Sequence, residues 1–447
     1  MTAPAPPGSI ADTLIPEMLT PVVSEPLPSF RFLTAILALM FVMNTLGRGV
    51  TETFAVFLLP VQKGLGVSRA EITATYSIYM LVFGLAAPIA GQMVDRIGVR
   101  ISYSLGLLSL GGGYYLAGMS TKLWHYYATV GVLGGIGSTF LGMVVASSIM
   151  ARWFTGGVKA TAPGETKPTG RLGTIVSLPY AAVGAGMLIL PPATQLLLER
   201  MSWQSAHQLL GLMVLSLLPV LFALPLARVT AGSPAWQHSR SAAIAAGTPT
   251  WTLPQALRTT AFWGLFLAYF ATSWASYSVL PQSVAYLIGH GFSPLFAASA
   301  FGAAGALSTI GIVGVASLSD VIGRRQAATL SYLSTILGIT ALLLAATYPT
   351  ALLVYAFVLF FGLMQGVRGP IILATIATLF RGGQVGTIFG TLMLAAGLGG
   401  AAGSLSSGLL HDWTGSDAAS FVVAIAACCV GMAVFWLVPS IRNQRMD

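Results

Sequence analysis

"GQMVDRIGVR" occupies Gly91–Arg100, and "ASLSDVIGRR" occupies Ala316–Arg325, 225 residues further on. At that one offset Asp95 recurs as Asp320, Ile97-Gly98 as Ile322-Gly323 and Arg100 as Arg325. A short polar loop that returns in register marks a duplicated unit. Two further echoes extend it. Phe154 in "ARWFTGG" pairs with Phe380 in "TLFRGG", 226 apart, and "LGTIVS" from Leu172 pairs with "VGTIFG" from Val385, 213 apart. The shortening of the offset is taken up by a longer loop between Arg152 and Arg171 in the first half.

What surrounds these loops sets the fold class. Of 447 residues, 55% are hydrophobic and only 7% charged, against roughly a quarter charged in a soluble domain. Apolar runs of helix-spanning length, about 20 residues each, fall at about 31–61, 71–94, 101–119, 124–151, 171–198 and 205–227. They resume at about 261–288, 294–318, 327–346, 350–379, 386–410 and 417–438. The expectation is an all-α polytopic membrane protein with twelve transmembrane helices in two pseudo-symmetric six-helix bundles, residues 31–227 and 261–438. A cytoplasmic tail at 1–30, a central cytoplasmic loop at 228–260 and a second tail at 439–447 complete the plan. Repeats that enter the membrane from the same side are related by an axis along the membrane normal.

The net charge of +9 reports topology and not a polyanionic partner. With a cytoplasmic N-terminus, fifteen of the 21 Lys and Arg lie on the cytoplasmic side. Only Lys63, Arg69, Lys122 and Arg200 face outward, and Arg48 and Arg368 fall inside spans. A bias of that size is the positive-inside rule. It places both termini in the cytoplasm and excludes nucleic acid as a partner. The adjacent Cys428 and Cys429 match no disulfide framework and no metal spacing. The N-terminal 29 residues lack a basic n-region and a short apolar core, so they do not read as a secretory signal.

"GQMVDRIGVR" resembles the signature loop between helices two and three of the major facilitator superfamily, and "ASLSDVIGRR" resembles its second-half copy. The resemblance covers residues 30–440. "GVTETFAVFLLPVQKGLGVSRAEIT" and "ARWF" are similar to the monocarboxylate transporter and oxalate–formate exchanger branch. The superfamily implies alternating access by rocking of two bundles, with spans one, four, seven and ten lining a central cavity. It also implies a gate at the signature loops. A basic loop with one carboxylate can hold helix ends together by charge-assisted hydrogen bonds, so Asp95, Arg96, Arg100, Asp320, Arg324 and Arg325 are candidate gating residues. In the branch, span eight commonly carries a basic residue for the substrate carboxylate. Span eight here, "LFAASAFGAAGALSTIGIVGVASL", carries no charge, and that site does not carry over.

The charges inside the membrane are elsewhere. Asn44, Arg48 and Glu52 are spaced i, i+4, i+8, so they drift only about 40° per step and form one polar stripe on span one. Such a stripe faces the bundle interior or water, since ionisable groups against lipid cost several kcal/mol. Arg368 lies in span ten with Gln365 one turn before it and Pro370 just after. Counted from the flanking Lys63 and Arg381, both arginines sit roughly 20 Å deep at 1.5 Å per residue, where secondary transporters bind their load. Two guanidiniums against one carboxylate leave one positive charge, which an organic carboxylate would neutralise through a bidentate fork. Arg368, Arg48, Asn44 and Gln365 are therefore candidate substrate ligands, joined by Trp274 and Tyr277 of span seven. Two structural roles stay open: an internal Arg48–Glu52 ion pair, and capping by Arg368 of carbonyls freed near the proline.

No G-x-x-x-x-G-K-[ST] loop for ATP phosphates is present, so coupling is to protons or to a counter-anion, with Glu52 the candidate proton carrier. The expected function is secondary transport of a small organic anion, a mono- or dicarboxylate, without a cofactor and without enzymatic activity. Proton-coupled efflux of lipophilic compounds and a non-transporting sensor are the alternatives. Short loops suggest a bacterial inner membrane. Oligomeric state is open, because glycine-rich runs serve intramolecular packing as readily as dimers.

Overall fold

The computed structural model describes residues 30–150, 152–153, 170–224, 226–233, 251–380 and 385–442. The expected tails at 1–29 and 443–447 and most of the central loop lie outside the described residues. All twelve expected spans are helical. Span two is Arg69–Ile97, span three Val99–Ala117, span five Gly170–Leu198 and span seven Thr260–Gly289. Span eight is Pro294–Ile322, span nine Arg324–Thr347, span eleven Val385–Thr414 and span twelve Ala418–Leu437. Spans one, four, six and ten are interrupted helices.

The duplicated loop has a geometric cause. Gly98 and Gly323 take φ of +87° and +90°, a region in which L side chains are strained. Each lets one span end and the next begin with a single intervening residue, so span three starts at Val99 and span nine at Arg324. The repeat is thus a repeated sharp corner.

Among the described residues, nine helices are long and apolar enough to cross a membrane by length and composition alone. Spans three, seven and ten are not among them. Span three is rich in Gly, Ser and Tyr, span seven in Ser, Thr and aromatic residues, and span ten is cut into short pieces. Those are properties of helices that pack against protein more than lipid.

Two hydrophobic cores form, each drawn mainly from one half. The first includes Phe57, Tyr103, Tyr114 and Leu210, and the second Phe262, Phe301, Tyr332 and Phe361. Large apolar side chains such as Leu85, Ile189, Phe222, Ile310, Leu337 and Leu352 face outward, as a lipid-facing surface requires. Lipid offers helices no hydrophobic reason to associate, so close packing through small residues takes over. Span two packs along span eleven and span five along span eight. A Cβ added at Gly397 would stand 2.9 Å from the Cα of Gly84, and one added at Gly302 2.8 Å from the Met187 carbonyl oxygen. The bundles therefore meet at backbone distance along these two seams.

Span one is the element that positions the site. It runs as Phe30–Glu52 and Phe54–Leu65, broken at Thr53. The carbonyl oxygen of Val50 accepts at the break from Thr53 N (3.2 Å), Thr53 Oγ1 (2.6 Å) and Tyr114 Oη (2.8 Å). Thr53 N thus bonds three residues back instead of four, which tightens the turn. Span four holds a π-helical stretch, Tyr127–Leu133, and span ten another, Val358–Gly362. Such insertions recur at functional sites.

Candidate functional site

Arg48 and Glu52 meet as a direct ion pair, Nη2 to Oε1 at 2.5 Å. The same Arg48 nitrogen donates to the hydroxyl of Tyr277 at 2.8 Å, so one guanidinium corner joins span one of the first bundle to span seven of the second. The Tyr76 hydroxyl donates to Glu52 Oε1 at 3.2 Å, and the rings of Tyr76 and Tyr277 lie 5.8 Å apart. Beside this, Ser138 donates to Tyr79 Oη at 3.1 Å and Tyr79 to Thr51 Oγ1 at 3.4 Å. The result is a polar cluster at mid-span, built from spans one, two, four and seven.

Exposure separates the two partners. The Arg48 side chain keeps 19% of its surface open while Glu52 keeps 2%. The acid is held inside and the base reaches outward. Removing one member of a buried ion pair strands the other at a cost of about 3–5 kcal/mol. A ligand that takes Arg48 away must therefore bring a negative charge for it, and Glu52 must then be neutralised in another way.

Asn44 shares the stripe but turns back on its own helix. Its Nδ2 donates to the Met40 carbonyl at 2.9 Å, and its buried Oδ1 has no partner. Trp274 is half-buried, its Nε1 unpartnered, with its ring 5.5 Å from Phe270. Gln365 stands in the non-helical turn between the π stretch and the rest of span ten, its Oε1 buried and unpartnered.

Arg368 is placed differently from Arg48. It begins the helix Arg368–Leu379, and its side chain is sealed inside the second bundle at 1% exposure. Nη2 donates to Thr335 Oγ1 at 3.1 Å, and the guanidinium lies 4.8 Å over the Tyr332 ring. Both contacts are on span nine. Nε and Nη1 are buried without a hydrogen-bond partner. Among the described residues none of these contacts is shared with Arg48, and no carbonyl near Pro370 accepts from it. The structure thus brings Arg48, Glu52 and Tyr277 together and leaves Arg368 apart.

Of the loop residues, the side chains of Asp95 and Asp320 lie outside the described residues. Arg96 is exposed and Arg324 half-buried. Arg100 donates to the Leu224 carbonyl at the end of span six (2.7 Å), and Arg325 lies 4.3 Å over the Trp436 ring of span twelve. These equivalent arginines each tie the third span of a bundle to its sixth.

Tyr76 is a member of the cluster, through its bond to Glu52, that carries no charge to mark it in the sequence. Its pairing with Tyr79 at i, i+3 on a helix beside a charged span was the available signal. An outward groove of about 300 Å³ between Phe41 and Thr45 of span one and Met213 and Leu217 of span six carries no charged side chain and is not the site.

The sequence pattern of the Major Facilitator Superfamily matches residues 37–404 and again 315–445. The chain belongs to the major facilitator superfamily. Within it, monocarboxylate transporter 13 of Rattus norvegicus is 26% identical over 403 residues, covering 89% of this chain and 87% of that one. Monocarboxylate transporter 11 of Homo sapiens is 26% identical over 410 residues, covering 89% and 81%. An uncharacterized transporter of the superfamily, YcxA of Bacillus subtilis, is 24% identical over 88% of this chain and 92% of its own. The nucleoside transporter NupG matches with a TM-score of 0.68 at 11% identity over 90% of this chain and 99% of its own. A bacterial homolog of the lysosomal transporter Spinster, in an inward-facing and occupied conformation, matches at 0.68 and 13% identity over 93% and 98%. These two fix the fold. This superfamily member is a membrane transporter, and its sequence relatives lie in the monocarboxylate branch, as the span-one resemblance implies.

Proposed function

We propose that the protein carries a small organic anion, a mono- or dicarboxylate, by alternating access, and that Arg48 is the group its carboxylate meets. The observation that carries this reading is the shared nitrogen of Arg48, bonded to Glu52 in its own bundle and to Tyr277 in the other. A carboxylate arriving between the bundles offers Arg48 a planar, bidentate acceptor better than a phenol. The relatives named monocarboxylate transporters support the substrate class.

Once Arg48 turns to the substrate, Glu52 keeps only the Tyr76 hydroxyl among its named partners in an otherwise closed site. A carboxylate left buried without a cation neutralises by taking up a proton. Proton–anion symport follows, with Glu52 as carrier. Arg368 stands second as a ligand: it pairs with no acid among the described residues, and it is sealed inside the second bundle. Residues 31–227 and 261–438 rock as the two bodies, both termini face the cytoplasm, and the loops at Asp95 and Asp320 close the cytoplasmic end.

Counterflow in proteoliposomes with a panel of labelled mono- and dicarboxylates tests the reading on wild type, Arg48→Gln and Arg368→Gln. The expected result is uptake of one class by wild type, loss of at least about 100-fold in Arg48→Gln, as for a stranded buried charge, and retained uptake in Arg368→Gln. Uptake abolished only in Arg368→Gln moves the site into the second bundle. No carboxylate uptake by folded wild type favours efflux of lipophilic compounds instead.

A further inference from the structure

At the distal end of the molecule, opposite the corners at Gly98 and Gly323, the last turn of span eleven carries His411 and Asp412, and the Asp412 side chain leaves its own bundle. Oδ1 accepts from the backbone N–H of Arg69 at 3.0 Å, and Oδ2 from that of Ala70 at 2.9 Å. These belong to the first turn of span two, where a helix leaves four N–H groups without internal partners. The other two are satisfied locally: Ser68 N donates to Glu71 Oε2 at 2.8 Å, and Glu71 N to Ser68 Oγ at 3.2 Å. Span two therefore supplies half of its own cap, and the opposite bundle supplies the rest.

The placement of Asp412 favours a contact that opens and closes. An acid in the last turn of a helix opposes that helix's dipole, whereas an acid at a helix N-terminus is favoured by it. Asp412 is thus poorly placed on span eleven alone and well placed only when the bundles meet. The seam beneath it is tight. A Cβ added at Gly408 would stand 2.7 Å from the Ala70 Cα, and Ser404 Oγ donates to the Thr73 carbonyl at 3.1 Å. The Arg69 side chain is buried there, within electrostatic reach of Asp417 and Asp412, and His411 Nδ1 lies 2.8 Å from Asp417 Oδ1.

The internal repeat supplies a control. The 213-residue offset carries Asp412 onto Glu199, and the 225-residue offset carries Arg69 onto Pro294. Glu199 is exposed. Pro294 has no N–H to offer, and Ser293 Oγ accepts from Phe296 N at 3.3 Å within its own turn. The seam of spans five and eight closes instead through Gly302 and Gly305 against Met187.

We propose that Asp412 is a releasable latch of this distal gate, capping span two across the bundle interface when the gate is closed and withdrawing when it opens. The five–eight seam, closed among the described residues by Gly302 and Gly305 against Met187, is the side to compare with it. This rests on the alternating-access reading.

Thr73 is a reporter, since it is fully buried in the latched seam and its Oγ1 bonds only its own helix, to the Arg69 and Ala70 carbonyls. Thr73→Cys in a Cys428→Ser, Cys429→Ser background, in sealed vesicles, is labelled from the distal side with a membrane-impermeant maleimide. The latch predicts labelling roughly tenfold faster in Asp412→Asn, the scale of a charge-assisted bond, recovery toward the parent rate in Asp412→Glu, and no change in Glu199→Gln. Labelling of Asp412→Asn at the parent rate overturns the latch and leaves alternation standing. No distal labelling in any variant, with full labelling after denaturation, overturns alternating access and the latch with it.

Discussion

Arg48 gives one nitrogen to acceptors in opposite halves of the molecule, and an arriving carboxylate would take it from both, from the Tyr277 hydroxyl and from Glu52. Tyr277→Phe removes that hydroxyl and leaves the ring beside Tyr76. We expect the KM of carboxylate uptake to fall about fivefold with turnover nearly unchanged, because the substrate no longer has to displace one hydrogen bond worth about 1 kcal/mol. An unchanged KM would place Tyr277 outside the site. At this scale the sequence was partly legible. The i, i+4 spacing of Arg48 and Glu52 is enough to predict that they share a face, and they pair. The contact of Tyr76 with Glu52 was not readable, because it depends on the register between two helices and not on either helix alone. Arg368 has no acid within one helical turn of it in the sequence, and the fold places it against Tyr332 and Thr335.

The reason lies one scale up, in the interruption of span ten. A helical wheel assumes 3.6 residues per turn throughout, and the stretch Val358–Gly362 with the turn at Gln365–Val367 breaks that phase just before Arg368. The depth of Arg368 follows from counting residues, but the direction in which it points does not. Spans two and eleven, by contrast, are continuous, and their glycines mark their seam. Gly397→Ala would put a methyl 2.9 Å from the Gly84 Cα and the Met80 carbonyl oxygen, backbone atoms that cannot swing aside. The expected cost is about 1–3 kcal/mol of packing in the closed seam, read as faster distal labelling of Thr73→Cys, whereas Gly390→Ala, where a Cβ meets nothing within 4 Å, should leave that rate unchanged. Equal rates for the two would show that the seam does not govern closure.

At the scale of the whole molecule the duplication was legible, because a sharp corner needs glycine at one position and both halves keep it, at Gly98 and Gly323. The two bundles and their order followed from that loop and from the hydropathy pattern. How the halves touch was not legible, since Asp412 reaches across 343 residues of chain to Arg69. The central claim is that a substrate takes Arg48 from Glu52 and leaves the acid to carry a proton. Glu52→Gln tests this most directly, with two assays on one preparation: counterflow of the transported carboxylate at equal pH, and its accumulation driven by an imposed pH gradient. The account predicts that Glu52→Gln keeps counterflow within about tenfold of wild type, since Arg48 still meets the substrate, and loses gradient-driven accumulation. Accumulation that persists in Glu52→Gln would contradict the account and leave the Arg48–Glu52 pair as a static brace.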